Sequence, residues 1–489
     1  MPDEVAPRTL RGRIPTRRID RSTVNWSLAA ILAGLVVANL VAAGYWYLAL
    51  GLLLAGPMFV VLHRYPLIAI SIWLVLAPLV AVTDDVGNRK IFWLIHRSLP
   101  VLTLGAIAVG SFLGISDRKI AKLGWPEVMM GGYLVASVLS ILYTSDATLA
   151  TSYMLYDRVF VPMCLYLIVR LLSPDERDLR LLLPAVAFLL VTQSVFGLLS
   201  WVAPGSLPSV WLAHAGERTT GSLRDPNVYS VTVLFAGLFL LHRAFTGSHS
   251  RWVRLGAVAL FVLALVMVFF TFSRAAWLAG LVAVVMVAFA YPKFARRLAI
   301  AAVPVVLLLL ASGVLTHQLD YAYERLTSED SALSRLPVLV AAARMFEAKP
   351  VTGWGYENFD RYSRRFQGRV GDLASAEKPH ASHNLYFTIL AEQGVIGFVL
   401  FLGPPAYWMV RTVKRWGSVP RSGGIDRRLL LLMWAAIAVF VIVNNFVVVS
   451  VTFGPGVYWL TLGLIASIVD RYGPARKPVR PWIAVGAVP

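Results

Sequence analysis

Apolar runs of roughly 20 residues recur along most of this 489-residue sequence and constrain its fold more than any other feature. A helix of about 20 apolar residues is long enough to cross the roughly 30 Å hydrocarbon core of a bilayer. Only 15% of the residues are charged, whereas a water-soluble domain normally carries about a quarter. The sequence therefore excludes a soluble enzyme and predicts an all-α polytopic integral membrane protein with about 12–14 transmembrane helices.

The order of apolar and polar stretches predicts five parts. They are a basic cytoplasmic tail at 1–24, about 11 transmembrane helices in 25–315, a large extracytoplasmic loop at 316–384, about three transmembrane helices in 385–470 and a cytoplasmic tail at 471–489. A connection as long as this loop usually carries function. Within it, residues 334–349 are predicted to form an amphipathic helix on the membrane face.

Basic residues indicate the orientation of the chain. With the N-terminus placed inside, Lys and Arg are concentrated in the cytoplasmic loops and tails, as the positive-inside rule requires. The net charge of +19 is then a topology signal and an attraction to anionic lipids of the bilayer, and no nucleic-acid motif accompanies it. The single cysteine, Cys164, excludes an intramolecular disulfide and a zinc site built from paired thiols.

Two arginines on the predicted outer side are candidates for binding an anion. Arg274 stands between two apolar runs with almost no loop, where an unpaired charge costs at least a few kcal/mol. A lipid diphosphate would compensate it, because planar guanidinium binds phosphate oxygens bidentately. Arg224 precedes a predicted helix start, where free amides also favour anions. The alternatives are snorkelling of Arg274 and, for Arg224, neutralisation by Asp225, which could instead cap the helix.

Two histidines lie where the extracytoplasmic loop at 316–384, called the outer loop below, meets the next predicted span. His383 is followed by Asn384 at the water–membrane boundary, near the positive end of a helix dipole. A neutral imidazole there could accept a proton from a sugar hydroxyl as a general base. His380 is a rival base, and an interfacial histidine without a role is the alternative. Glu392 lies too far along the helix to orient His383 and is expected to be a structural partner.

Metal chemistry has little support in the sequence. No acidic pair or histidine cluster has the spacing of a metal-ligand set. We therefore expect a metal-independent mechanism without a cofactor.

Three stretches in sequence order resemble the O-antigen ligase-like superfamily, which includes bacterial O-antigen ligases and related polysaccharide polymerases. They are SRAAWLAG at 273–280, RLPVLVAAARMFEAKPVTGWGYENF at 335–359 and HNLYFTILAEQGVIGFVLFL at 383–402. The last contains the pattern H-N, an aromatic residue and E-x-G-x-x-G, at His383, Asn384, Tyr386, Glu392, Gly394 and Gly397. The resemblance covers roughly residues 210–410, and the N-terminal half agrees in hydropathy only.

This resemblance implies an inverting glycosyltransferase of the C type, a multi-pass protein of the bacterial inner membrane with its active site on the periplasmic face. Its donor would be an undecaprenyl-diphosphate-linked glycan. The resemblance implies that His383 deprotonates the acceptor hydroxyl and that Arg224 and Arg274 bind the diphosphate. Asn384 and His380 are further candidate substrate-binding residues.

Three functions remain open at this point. An O-antigen ligase, which we favour, would transfer the glycan to a lipid A-core sugar. A polymerase would transfer it to a second lipid-linked glycan. A transporter or flippase is the least favoured, because the internal repeats common in transporters are not evident here.

Overall fold

The computed structural model describes residues 46–80, 90–115, 120–144, 148–212, 217–246, 250–313, 316–327, 335–367, 382–445 and 453–473, with positions 35, 36, 38, 39 and 41–44. The structure is 85% helix, and these residues form no strand. The chain divides into two compact units, Met1–Val61 and Leu62–Pro489. Both predicted tails, and the candidate base His380, lie wholly or largely outside the described residues.

The described helices are numbered here in chain order. They are α1 Trp46–Arg64, α2 Pro66–Val80, α3 Leu99–Phe112, α4 Trp125–Thr144, α5 Thr148–Leu155, α6 Val161–Leu172, α7 Glu176–Val202, α8 Pro226–Thr246, α9 Arg251–Phe269, α10 Arg274–Ala290, α11 Pro292–Ala311, α12 Thr316–Thr327, α13 Leu336–Ala348, α14 Phe359–Phe366, α15 Leu385–Arg415, α16 Arg427–Asn444 and α17 Phe453–Arg471. Two π-helical turns, Trp93–Ser98 and Tyr156–Phe160, lead into α3 and α6.

Many of these helices have the length and composition of membrane spans. Among the described residues nine helices qualify, and the pair Leu53–Arg64 and Pro66–Val80 makes a tenth when counted as one broken span. The predicted all-α polytopic membrane fold is therefore confirmed. The expected 12–14 spans also included one before Trp46, most of which the structure does not describe, and α10, which has only 17 residues.

The helices differ in how much of their surface the protein buries. The central helices α8 and α17 are almost entirely buried, whereas α11 buries almost nothing and α9 only a narrow face. Lipid tails are as apolar as leucine, so an outer helix keeps its apolar side chains exposed at no cost. Polar side chains collect instead on the central helices, where Ser230, Thr232 and His242 of α8 are completely buried.

The amphipathic helix predicted at 334–349 is present as α13. Its apolar face includes Val338, Ala342 and Met345, which pack against Phe359 and Ala391 in a small core of their own. This core attaches α13 to α15. The orientation of α13 along the membrane plane stays a prediction.

A break in α15 receives the chain that follows α13. Gly394 has a left-handed φ of 62°, and a Cβ there would lie 2.3 Å from the carbonyl oxygen of Val351. Val395, the next residue, donates its amide to the Pro350 carbonyl at 2.8 Å instead of continuing the helical pattern. The loop after α13 is therefore bonded into the helix itself.

Glu392 completes this junction. Its two carboxylate oxygens accept the backbone amides of Glu357 and Phe359, each at 3.0 Å, and the residue is buried. A carboxylate with two amide donors is a strong, geometrically fixed contact. Glu392 is therefore a structural partner, as the sequence indicates, and it does not line the cavity described next.

Candidate functional site

A cavity of about 670 Å³ opens where four helices begin. Helices α8, α10, α13 and α15 all present their N-terminal ends to it. Its lining consists of Arg218, Asp225, Pro226, Asn227, Phe272, Ser273, Arg274, Ala275, Leu278, Arg325, Arg335, Leu336, Leu339, Ser382, His383, Asn384 and Asn445. Free backbone amides and the positive end of the helix dipole both favour anions at such ends.

Side-chain caps hold two of these helix ends together. Asp225 accepts the amides of Asn227 and Val228 at 2.7 and 3.0 Å and so caps α8. Ser273 caps α10 and donates its hydroxyl hydrogen to the side-chain oxygen of Asn227 at 2.6 Å. Asp225 therefore has the capping role that the sequence left as an alternative. The junction places Arg274, the first residue of α10, at the cavity wall.

Asn384 has a structural role at the third helix end. Its side-chain oxygen accepts the amides of Tyr386 and Phe387 at 3.0 and 3.1 Å, which caps α15. Its side-chain nitrogen donates to the backbone and side-chain oxygens of Asn445 at 3.0 and 3.2 Å. Asn384 lines the cavity, but its amide group is already bonded on both sides. A direct contact of Asn384 with substrate stays a prediction.

His383 lies in the cavity wall in an unusual backbone conformation. Its φ is 55°, and that of Phe272, which also lines the cavity, is 46°, both in the left-handed region that non-glycine residues rarely adopt. Such residues are often found at functional sites, where surrounding contacts hold them in place. Partial burial lowers the pKa of His383, and the positive charge of Arg335 lowers it further. The imidazole is therefore neutral at pH 7 and able to accept a proton.

Four guanidinium groups share this cavity. Arg274 is joined by Arg218, Arg325 and Arg335, and Asp225 is the only carboxylate among the described lining residues. The pKa of Arg335 is lowered by burial and then by the charges of Arg274 and Arg325. The pKa of Arg218 is lowered by burial and then by Arg325. The positive charges of these arginines therefore repel one another, and a bound anion would reduce that repulsion.

The structure brings together some of the predicted site residues and not others. Arg274, His383 and Asn384 line one cavity. Arg224 is exposed and is not part of the lining, so the expected convergence of Arg224 with Arg274 is not seen there. The reason is local: Arg224 has a φ of 62° after the short turn Gly221–Leu223, and the next residue, Asp225, faces the cavity instead.

Three lining arginines were not singled out from the sequence. Arg325 and Arg335 belong to the outer loop, where neighbouring carboxylates made the charge look balanced. Arg335 does stand directly before the Pro-containing first turn of α13, which is a readable signal for a helix start. Arg218 is six positions from Arg224 in the same loop, and no local pattern distinguishes the two.

Potential metal ligands are dispersed in the described part of the chain. No three His, Cys, Asp or Glu side chains are grouped there as a metal site requires. Metal independence stays a prediction.

Comparison with known proteins identifies part of the chain. Residues 259–402 match the family model described as O-Antigen ligase. The resemblance to the O-antigen ligase-like superfamily is thereby confirmed. No curated protein sequence matches the chain. The matched stretch contains Arg274, Arg325, Arg335 and His383, and it supports glycosyl transfer of the ligase or polymerase type by a multi-pass membrane protein.

Proposed function

We propose that this protein transfers a glycan from an undecaprenyl-diphosphate carrier to an acceptor hydroxyl, on the periplasmic face of the bacterial inner membrane. The acceptor we propose is a sugar of lipid A-core, which makes the protein an O-antigen ligase. The observation that carries the proposal is the cavity in which His383 and four arginines meet at four helix N-termini.

The arginines suit the leaving group of this reaction. Departure of the lipid diphosphate places negative charge on its oxygens, and fixed guanidinium groups stabilise that charge as it develops. We assign Arg274 and Arg335 to the diphosphate. The charge of Arg274 lowers the pKa of Arg335, and the charge of Arg335 lowers the pKa of His383, so Arg335 is close to both residues. Both would bind phosphate oxygens bidentately, which a lysine cannot do.

His383 is assigned as the general base. The acceptor oxygen attacks the anomeric carbon while the bond from that carbon to the diphosphate oxygen breaks, which inverts the configuration. The diphosphate leaves with the electron pair, and the acceptor proton passes to the neutral imidazole of His383. Loss of that proton to water regenerates the base. The products are the glycosylated acceptor and undecaprenyl diphosphate.

The size of the cavity indicates which parts of the substrates it holds. A volume of about 670 Å³ is in the range of small-molecule sites. The diphosphate and the reacting sugars fit a space of this size. The remaining glycan and the isoprenoid chain must extend beyond it, toward water and lipid respectively.

Reconstitution of the purified protein in lipid vesicles tests the proposal. The vesicles would contain an undecaprenyl-diphosphate-linked oligosaccharide together with lipid A-core or with a second lipid-linked glycan. We expect a glycosylated lipid A-core and released undecaprenyl diphosphate. Elongation of the lipid-linked glycan would instead identify a polymerase. Movement of the glycan across the bilayer without a new bond would support the transporter alternative and overturn the proposal.

A further inference from the structure

The loop between α13 and α14 contacts a helix from the N-terminal half of the chain. The amide of Tyr356 donates to the hydroxyl of Ser140 at 2.8 Å, and the side chain of Asn358 donates to the hydroxyl of Thr144 at 2.9 Å. Both acceptors belong to the C-terminal end of α4. A Cβ on Gly355 would lie 2.1 Å from the Thr144 hydroxyl oxygen, so the backbone of the loop lies close against the Thr144 side chain.

One ion pair joins the same loop to a second N-terminal element. Arg158 donates from Nη1 to the Glu357 carboxylate at 2.6 Å, and the two side chains are 27% and 29% exposed. Glu357 also gives its amide to Glu392 and has a left-handed φ of 58°. A strained residue persists only when its surroundings fix it from several directions. Arg158 and Glu392 provide two of the contacts that fix Glu357.

Arg158 belongs to a turn that a neighbouring ion pair anchors. It lies in the π-helical turn Tyr156–Phe160, a type of turn that is frequent at functional sites. The preceding residue, Asp157, forms a bidentate pair with Arg97 in which both nitrogen–oxygen distances are 2.6 Å. Asp157 thereby attaches the turn to the bundle while Arg158 reaches the outer loop.

Helix α13 connects the loop to the cavity. Trp354 donates its indole hydrogen to the Met345 carbonyl at 2.8 Å, and Phe359 packs with Met345 in the small core. Met345 is ten residues from Arg335, which is about 15 Å along a helix. Arg335 is the cap residue of α13 and lines the cavity. A shift of the loop would therefore be passed along α13 to Arg335.

We propose that Arg158 is a positioning residue for glycosyl transfer: its ion pair with Glu357 fixes the loop and α13 so that Arg335 faces the bound diphosphate. This gives the N-terminal half, which lies outside the matched family segment, a role in the reaction. The inference rests on the proposed function, since it assumes that the cavity binds a lipid diphosphate.

A purely structural role for this ion pair predicts a different outcome. A partly exposed ion pair contributes little to folding stability, so we expect the Arg158 variants to fold and insert normally. If the ion pair had no influence on the loop, the purified variants would show the KM, kcat and amide hydrogen exchange of the wild-type protein. If it positions α13, the KM for the donor changes more than kcat, because the misplaced Arg335 weakens diphosphate binding.

The experiment uses four single variants, Arg158→Ala, Arg158→Lys, Arg158→Glu and Glu357→Arg. It also uses the double variant that carries both Arg158→Glu and Glu357→Arg and so exchanges the two charges. Arg254→Ala is the matched control, because this arginine is exposed on α9 and is not part of the cavity. Each purified protein is assayed in vesicles for transfer, with the lipid-linked donor varied. Hydrogen–deuterium exchange is measured on peptides covering residues 354–366.

We expect Arg158→Ala to raise the KM for the donor by about two- to thirty-fold, the range of coupling through packed networks. Exchange in residues 354–366 should accelerate, Arg158→Lys should keep most of the wild-type behaviour, and the exchanged pair should recover more than either single reversal. Unchanged exchange and KM in Arg158→Ala, or an exchanged pair no better than its single variants, would overturn the inference alone. Absence of transfer by the wild-type chain would overturn the proposed function and the catalytic part of the inference with it.

Discussion

The two ends of α8 carry similar polar residues but present them differently. At its first turn, Asp225 and Asn227 line the cavity beside Arg274. Sixteen residues later, about 24 Å along the helix, His242 is completely buried, with its ring nitrogens 2.8 Å from the Tyr291 hydroxyl and 3.2 Å from the Gly424 carbonyl. One end leaves space for a ligand, whereas the other fills that space with protein groups.

The capping aspartates show the same contrast. Asp225 caps α8 at the cavity, and Asp426 caps α16 near His242 by accepting the amides of Arg428 and Leu429 at 2.9 and 3.1 Å. Asp426 is completely buried, while Asp225 is partly exposed. Buried ionisable residues in a membrane protein are therefore not sufficient evidence of a site. An adjoining cavity distinguishes the reactive end from the structural one.

Charge reversal at the cavity end should have the largest effect. We expect Arg274→Glu to lower transfer by at least about 10²- to 10³-fold, as loss of a charge-stabilising donor does, and Arg274→Lys to leave partial activity. Arg254→Glu on the exposed surface of α9 should keep activity near wild type. The measurement is transfer per folded protein in vesicles. Full activity of Arg274→Ala would remove Arg274 from the mechanism.

Substitutions of His383 in the cavity and of His242 at the buried end of α8 should have different effects. Loss of a positioned general base typically costs about 10²- to 10⁴-fold in rate, so His383→Ala should be nearly inactive at an unchanged melting temperature. His242→Phe should retain most activity and melt lower, because it leaves the Tyr291 hydroxyl without its buried partner. Transfer rates and thermal unfolding in detergent test both.

His380→Ala serves as the neighbouring control for this pair. We expect it to remain active, since His383 is the histidine at the helix entry and the one that the family pattern matches. An inactive His380→Ala with an active His383→Ala would reverse the assignment of the base.

The pH dependence of transfer sharpens the difference between the histidines. Burial and Arg335 lower the pKa of His383 from its ordinary value of 6.5, and only the neutral imidazole accepts a proton. The kcat/KM for transfer should therefore be level at neutral pH and fall about tenfold per unit below this lowered pKa. The midpoint should lie below pH 6.5 and move upward in Arg335→Gln, which removes one positive neighbour. A midpoint unaffected by Arg335→Gln would contradict the proposed proximity.

The smallest expected effects distinguish two arginines of one loop. Arg218 lines the cavity, and its Nε donates to the Thr271 carbonyl at 2.9 Å, whereas Arg224 is exposed. We expect Arg218→Ala to reduce transfer by about tenfold, as loss of a charged hydrogen bond would, and Arg224→Ala to change it by less than about twofold, as surface substitutions usually do. A larger effect of Arg224→Ala would restore the role that the family resemblance implies for it.

Much of the fold follows from the sequence, for a physical reason. Backbone groups in hydrocarbon must be bonded within their own segment, so apolar runs become helices whatever surrounds them. The same reasoning singled out Arg274, which stands between two apolar runs, and His383, which lies where the outer loop enters a predicted span. Glu392 was correctly interpreted as structural from its spacing along the helix alone.

The remainder of the site depends on tertiary packing. Four helix ends meet at the cavity, but nothing in any one helix states which other ends it will join. Arg325 and Arg335 were missed because the charge of the outer loop looks balanced in the sequence. Among the carboxylates of that loop that the structure describes, none lines the cavity. Arg224 has a left-handed φ, and it is exposed while the next residue, Asp225, lines the cavity. Glycine or asparagine usually signals such a φ in a sequence. An arginine in that conformation gives no such warning.

The break at Gly394 has a consequence for protein engineering. The loop after α13 is bonded into the opened turn of α15 through Val395, and Gly353 could not carry a Cβ because Glu392 backbone atoms lie 2.3 Å from that position. The outer loop is therefore not an exchangeable cassette. A hybrid protein that takes this loop from one relative must take the matching stretch of α15 from the same relative. Otherwise the loop and the broken turn of α15 will not pack together.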